Sequence, residues 1–357
     1  MFLAELTLGD LRCIEKAKLT FGPRTNLIFG ANGAGKTTVL EAVFLLGRGR
    51  SFRTHLNERL IQHGKPSARA VGILQAQAAS RRVGIEIHHD TNGKSGTSGR
   101  LDGEDLRSFV ELATAFPVQA LDPGAHKLIE EGSARRRRWL DWAVFHVEHG
   151  FAKTWTRYQK ALQQRNAALR AGRPEFTAWD FELAREGEAL TAARGRVVMA
   201  LAPYWTETAA ELTGLQISLD FDPGWDRSDS LANILTASVG RDRMRRATSL
   251  GAHRADLMLR TQGRAAREVL SRGQQKLAAA ALNLCQLEFL KAEHGLRPSV
   301  LLDDPSAELD RGRLGKFIGR VEALETQLIV TALDRDTSLF GRLEGVFHVE
   351  QGRVSQV

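Results

Sequence analysis

Residues 30–37 read Gly30-Ala31-Asn32-Gly33-Ala34-Gly35-Lys36-Thr37. Glycines at this spacing let backbone N–H groups turn inward and cradle phosphate oxygens, provided a strand leads into the loop and a helix leaves it. Both conditions are met. Asn26-Leu27-Ile28-Phe29 is a short apolar run, and Val39, Leu40, Val43, Phe44 and Leu46 recur at helical spacing behind the loop, with Gly47 and Gly49 expected to end the helix. Lys36 is expected to reach the β- and γ-phosphates of ATP, Thr37 to ligate Mg²⁺, and Thr38 to complete the ATP-binding set. A second group is Val300-Leu301-Leu302-Asp303-Asp304, an apolar strand with two carboxylates at its carboxyl end, where α/β sheets bind ligands. Asp303 is expected to hold the magnesium ion, directly or through water. Asp304, on the other side of the pleat, is expected to polarise the attacking water. Alone, this pattern also fits a strand end followed by a solvated turn; the phosphate loop is what makes it a candidate site. The third group is Ser271-Arg272-Gly273-Gln274, with Ser271 where an N-cap belongs, ahead of a helix rich in alanine and leucine over residues 274–291.

The elements that must position these groups alternate between strand and helix. Residues 2–8, 17–21, 71–73 and 83–87 read as strands, with Thr91-Asn92-Gly93 as a hairpin turn. From about residue 105 to 212 the pattern is mostly helical. Trp155, Tyr158, Leu162 and Leu169 form one stripe, residues 171–174 break it, and Leu183, Leu190, Val197 and Leu201 resume it. Strands return at 217–221, 299–303 and 326–331, and 346–354 reads as a hairpin around Gln351-Gly352. The organisation expected is therefore an ATPase-head lobe over 1–104, a helical insertion over 105–215 and a second head lobe over 216–357.

With the Ser-x-Gly-Gln cap lying between the phosphate loop and the aspartate strand, and Ala307-Glu308-Leu309-Asp310 following it, the chain resembles the ATP-binding-cassette ATPases of the SMC-like branch. Within that branch it is similar to the RecF family. The stretches carrying this likeness are residues 27–41, Gly49-Arg50-Ser51-Phe52-Arg53-Thr54, Pro117-Val118-Gln119, residues 136–141 and Gly251-Ala252-His253-Arg254-Ala255-Asp256-Leu257, besides the three motifs. The resemblance implies an α/β fold: a P-loop ATPase head with an inserted helical arm. It implies that Ser271, Gly273 and Gln274 of one subunit contact the γ-phosphate held by another, so that ATP joins two copies into a homodimer. It assigns Gln119 to the magnesium ion or its water. It also implies clamping of double-stranded DNA near single-strand/double-strand junctions, recombinase loading with RecR and RecO, and slow hydrolysis that releases the dimer. Departures are Ala252 where proline is usual, from which little loss is expected, and Ala307 where serine is common, the shorter Asp304 as catalytic carboxylate and no switch histidine after Val330-Thr331, which imply slow turnover.

The formal net charge of +8 favours a polyanionic partner. Arg53, Arg136, Arg137, Arg245 and Arg246 are the DNA-facing candidates; for any one cluster a solvated face is the plain alternative. Arg53, just behind the phosphate loop, is the candidate to couple DNA to the nucleotide. The six tryptophans read as core rather than as base-stacking platforms, and His253 as a structural or sensor residue. The two cysteines, Cys13 and Cys285, are too few for a disulfide framework or zinc site and read as buried free thiols, consistent with a cytoplasmic location. No run approaches the roughly 18 apolar residues of a membrane span. Two rivals share parts of this pattern. A transporter motor carries the same three motifs, but the stretch from Gln119 to Ser271 is much longer than its compact helical subdomain. A scaffold that binds ATP without turning it over would not need Lys36, Thr37, Asp303 and Asp304 together.

Overall fold

The computed structural model describes residues 1–76, 79–89, 95–307, 309–336 and 338–357, with the side chains of 174, 175 and 307 left aside. The expected turn at Thr91-Asn92-Gly93 lies outside the described residues. The chain forms two compact units, Met1–Ala125 with Lys291–Val357, and His126–Leu290.

The first unit holds two six-stranded sheets. One is antiparallel, in the order β2 (Ile14–Thr20), β1 (Phe2–Leu11), β4 (Ser67–Ala76), β5 (Ala79–His89), β6 (Ser95–Leu101) and β7 (Glu104–Asp105). A register shift between Leu3 and Glu5 inserts a bulge in β1. It lets Leu3 and Leu6, three apart, both reach the core despite the two-residue period of a strand. The other sheet runs β15 (Arg353–Gln356), β14 (Leu343–Glu350), β3 (Thr25–Phe29), β13 (Leu328–Ala332), β12 (Ser299–Leu302) and β8 (Val118–Leu121). Its strands are parallel from β14 to β8. The central strands are covered on both faces, which is why β3, β12 and β13 read as continuous apolar runs. β8 falls inside the stretch whose pattern reads as helical, and it completes this sheet instead. The β14–β15 hairpin turns at Gln351 and Gly352, both at positive φ, as a two-residue hairpin turn requires.

The helix Lys36–Arg48 packs Val39, Leu40, Val43, Leu45 and Leu46 into a core shared with β1, β4, β5 and β3. It ends at Gly49, not at Gly47. Gly47 lies within the helix, where a Cβ would come within 2.4 Å of Val118, so its role is close packing against β8.

The second unit pairs a three-stranded antiparallel sheet, β11 (Arg264–Ala265), β10 (Asp256–Thr261) and β9 (Ser218–Asp222), with helices Ser133–Val147, Phe151–Arg170 and Asp180–Thr213. The last two form the expected helical hairpin, with Tyr158, Leu162 and Leu169 buried on one helix and Leu183, Leu190, Val197 and Leu201 on the other. Four tryptophans are buried, but Trp155 and Trp179 are 41% and 38% exposed, against the expectation that they are core. Among the described residues no helix is long and apolar enough to cross a membrane.

Candidate nucleotide site and basic surfaces

The phosphate loop leaves β3 at Gly30 and enters the helix through Gly35, both at positive φ. At Gly30 a Cβ would stand 2.1 Å from the Val349 carbonyl oxygen, so β14 fixes the loop's path and only glycine fits there. Lys36 is buried, and its Nζ donates to the carbonyls of Gly30 (2.6 Å) and Ala31 (3.0 Å). Burial lowers its pKa, opposed by the charges of Asp304 and Asp303.

β12 delivers Asp303 beside the loop, as its motif predicts. Thr37 Oγ1 and Thr331 Oγ1 each donate to Asp303 Oδ1 at 2.9 Å. Asp303 is mostly buried, and burial raises its pKa, partly offset by the two hydroxyl donors and by the nearby Arg53 charge. A hydroxyl and a carboxylate side by side form a hard-oxygen donor pair suited to magnesium, which keeps several waters and takes its remaining ligands from phosphates. The residues fit that ion, and Thr37 and Asp303 would be its protein ligands. Its contribution when bound is neutralisation of phosphate charge.

Asp304 does not follow the pleat alternation expected of it. The strand ends at Leu302, and Asp304 adopts a left-handed backbone at φ 46. Its N–H donates to Thr331 Oγ1 (2.9 Å), and its carboxylate accepts from Ser306 (2.9 Å). A non-glycine residue in this conformation costs of order 1 kcal/mol or more, and such strain concentrates at functional sites. Thr331 thus braces both aspartates. The signal for it was a hydroxyl at the carboxyl end of the strand beside β12, whose paired residues Leu302 and Val330 bring Asp303 next to Thr331.

Gln119 is not brought to this group. It lies buried within β8 opposite Val300, about three residues or ~10 Å along the strand from Asp303. The likeness in sequence assigned it to the magnesium ion or its water; the register places it opposite Val300, three residues before Asp303. Thr38 turns its hydroxyl to Cys13 Sγ at 3.8 Å, while its N–H donates to Gly35 (3.0 Å). Cys13 itself is exposed, contrary to the expectation for both thiols, whereas Cys285 is buried. Asp310 caps the helix Arg311–Ala323, accepting from Arg313 N–H at 3.0 Å.

Ser271 lies in the second unit and heads the helix Arg272–His294. It forms a reciprocal capping box with Gln274: Gln274 N–H donates to Ser271 Oγ (3.3 Å) and Ser271 N–H to Gln274 Oε1 (2.9 Å). Ser271 and Gly273 are exposed at this helix N-terminus, the kind of end that binds anions.

The basic candidates separate sharply. Arg136 is buried and bidentate to Asp256 at 2.8 Å on both arms, which removes it from any surface. Arg137 is partly buried and donates to the Ala255 carbonyl. Both clamp the 251–257 motif, as does Arg194, which holds Asp141 bidentately and donates to Ala252 O at 2.6 Å. His253 Nε2 donates to Thr248 O (3.0 Å) and Nδ1 of the neutral ring accepts from Tyr158 Oη (2.7 Å) within the same unit, and burial pushes its pKa down to about 4. Arg245 and Arg246 stay exposed at the end of the helix Val239–Arg245. Arg53 stands 3.5 Å from Glu41, with half its side chain exposed.

A parallel sheet carrying the phosphate loop and paired aspartates, an antiparallel sheet sharing a core with the loop helix, and a helical unit bearing a capped Ser-x-Gly-Gln motif define a P-loop ATPase head of the SMC-like ATP-binding-cassette type. The profile of the RecF/RecN/SMC N terminal domain matches residues 2–355. Curated relatives include the DNA replication and repair protein RecF of Pectobacterium atrosepticum, 37% identical over 99% of both chains. That of Xanthomonas euvesicatoria is 40% identical over 100% of this chain and 99% of its own. Among solved structures, the recombination mediator protein RecF with ATP, of the RecFOR pathway, superposes with a TM-score of 0.88 at 27% identity, covering 100% of this chain and 97% of that one. An Smc head bound to the C-terminal winged-helix domain of ScpA shares the fold, with a TM-score of 0.63 at 18% identity and coverage of 100% and 97%. The chain belongs to the RecF family.

Proposed function

We infer that this protein is a slow, DNA-stimulated ATPase of recombinational and gap repair, acting in the cytoplasm. The observation that carries this reading is the convergence of Lys36, Thr37 and Asp303 at one end of the parallel sheet, with Thr37 and Asp303 2.9 Å apart. Lys36 and the loop amides bind the β- and γ-phosphates of ATP, Thr37 and Asp303 hold Mg²⁺, and Asp304 orients the attacking water. Ser271, Gly273 and Gln274 of a second copy complete the site, so ATP closes a homodimer on DNA and hydrolysis opens it. The unit His126–Leu290 contains the inserted arm, but it begins about 20 and ends about 75 residues later than the 105–215 span read from the sequence, and it takes in the Ser271 motif that the sequence reading gave to the lobe 216–357. By family likeness, the DNA is double-stranded near single-strand/double-strand junctions, and the partners in recombinase loading are RecR and RecO.

Steady-state ATP turnover measured with and without duplex DNA, at low and high salt, tests the reading. The expected result is turnover that rises with DNA, with the rise lost as salt increases, because phosphate contacts release counterions. Equal turnover with and without duplex at low salt would remove DNA from the reading. Turnover indistinguishable from Lys36→Met would remove hydrolysis.

A further inference from the structure

Glu41 is a carboxylate with no solvent exposure, on a helix whose buried side chains beyond its first turn are otherwise apolar. A charge in such a place costs several kcal/mol unless it is well paired, so its partners indicate what it is for. Arg12 grips it from the β1–β2 turn, Nε to Oε2 at 2.6 Å and Nη2 to Oε1 at 2.9 Å. Ser51 donates to Oε1 at 2.6 Å, and the Ser51 hydroxyl oxygen in turn accepts from the N–H groups of Arg53 (2.9 Å) and Thr54 (3.2 Å). Arg53 Nη1 approaches Oε2 at only 3.5 Å, and its side chain is 49% exposed. One carboxylate therefore faces two guanidiniums. Arg12 is its close ion-pair partner but hydrogen-bonds only Oε1, while Oε2 has no hydrogen-bond partner and Arg53 stands off it at 3.5 Å, which leaves a positive charge poised rather than consumed.

The position of this hub matters. Glu41 is four residues after Thr37, one helical turn behind it on the same face, about 6 Å along the axis. Thr37 in turn donates to Asp303 Oδ1 at 2.9 Å, so Glu41, with Arg53 3.5 Å from it, stands one turn behind the residue that meets Asp303. The loop carrying Arg53 is also tied at its base, where Asn57 donates to Gly49 O at 3.0 Å and accepts from Ser51 N–H at 3.3 Å.

We propose that Glu41 is a positioning residue for nucleotide hydrolysis. Through Ser51 and its own carboxylate it holds Arg53 behind the Thr37 end of the helix, so that the guanidinium meets the negative charge of the triphosphate. Arg12 keeps Glu41 neutralised, so that Arg53 is released to the phosphates without leaving a bare buried charge. This rests on the reading of the phosphate loop as an ATPase site. The plain alternative is that Glu41 only pins the β1–β2 turn through Arg12.

The two are separated by a double-substitution cycle on the full-length protein with Mg-ATP, comparing wild type, Glu41→Gln, Arg53→Ala and the double variant. Acting through Arg53, Glu41→Gln lowers kcat about tenfold with KM for ATP within about twofold, and the double variant is no slower than Arg53→Ala alone. Independent, multiplying losses of kcat would overturn the proposal, as would a Glu41→Gln variant that loses thermal stability and keeps wild-type kcat. If Glu41→Gln does not fold, Ser51→Ala replaces it. That change cuts the tie to the Arg53 N–H and leaves both charges in place, with a smaller kcat loss that is again absent on the Arg53→Ala background; a loss that persists there overturns the proposal. Wild-type protein without turnover above Lys36→Met fells the ATPase reading and this inference together. Turnover in the wild type with multiplying losses fells this inference alone.

Discussion

Asp303 in the first unit is met by two hydroxyls, whereas Asp141, Asp256 and Asp242 in the second unit are each met by a guanidinium. All four carboxylates are wholly or partly buried, so burial alone does not distinguish them. The partners do. A guanidinium neutralises a carboxylate and fills its hydrogen-bonding sites, and what remains is a rigid strut. Neutral hydroxyls orient a carboxylate without cancelling its charge, and the charge is left for a cation that arrives with a ligand. Lys36 is the mirror case, a cation whose partners at rest are the neutral carbonyls of Gly30 and Ala31. Among these five groups, the three with guanidinium partners build the second unit, and the two with neutral partners, Asp303 and Lys36, are those the proposed reading gives to the nucleotide.

Lys36→Met should break the comparison most severely. It is expected to lower ATP turnover about 10³-fold, equivalent to roughly 4 kcal/mol of transition-state stabilisation. Sedimentation with a non-hydrolysable ATP analogue is expected to leave this variant monomeric while the wild type dimerises. Thermal stability of the variant should not fall, because burial already disfavours the charged lysine. A monomeric wild type under the same conditions would count against ATP-driven dimerisation.

Arg136→Ala should do the reverse. Removing one arm of a buried bidentate pair typically costs about 3 kcal/mol, which urea unfolding of the second unit would register. ATP turnover per folded molecule should be close to wild type. Replacing both partners, Arg136→Met with Asp256→Leu, should recover much of the stability, since an apolar pair leaves no unmatched charge. An Arg136→Ala variant of full stability that binds duplex DNA weakly would restore the surface role its position in the arginine run suggests.

That arginine run is where the sequence was least legible. Arg135, Arg136, Arg137 and Arg138 look alike as letters, and only the helix phase and the distant Asp256 decide that Arg136 points inward. No local pattern carries that information, because the partners lie 120 positions apart in the chain. The nucleotide site was legible because its chemistry is local: a loop of fixed spacing between a strand and a helix, and a strand ending in aspartates. Even there, what depends on register escaped. Gln119 fell below the site because β8 pairs it with Val300, and Thr331 entered it because β13 runs beside β12. Glu41 was hidden in a helical stripe that reads as apolar, since its arginine partners come from separate loops.

The third test concerns pH. His253 is held neutral, its pKa pushed down to about 4 from 6.5. The unfolded chain therefore binds a proton that the folded unit refuses, and stability is full above pH ~6.5 and declines as the pH falls toward ~4. The expected loss at pH 5 is about 2 kcal/mol, from this one group. A His253→Asn variant should lack that part of the pH slope, whatever its own stability. If wild type and variant fall in parallel between pH 7 and 5, the histidine is not the group responsible.

The smallest effect belongs to Arg245 and Arg246, the exposed arginines of the second unit. Neither contributes a buried pair, and Arg246 sits at φ 52 as a helix C-cap, where alanine fares no worse than arginine. Arg245→Ala and Arg246→Ala should therefore leave stability within about 0.5 kcal/mol of wild type. If either side chain touches a DNA phosphate, its loss weakens duplex binding by several-fold at low salt. It also lowers the slope of log affinity against log salt by about one. The slope is the sharper observable, because it counts phosphates displaced from counterions, whereas affinity also responds to any change in how the dimer closes. An unchanged slope in both variants would assign these arginines to the solvated face. DNA contact would then have to come from other cations, among which Arg53, loosely held at Glu41 in the first unit, is the candidate for coupling that contact to the nucleotide.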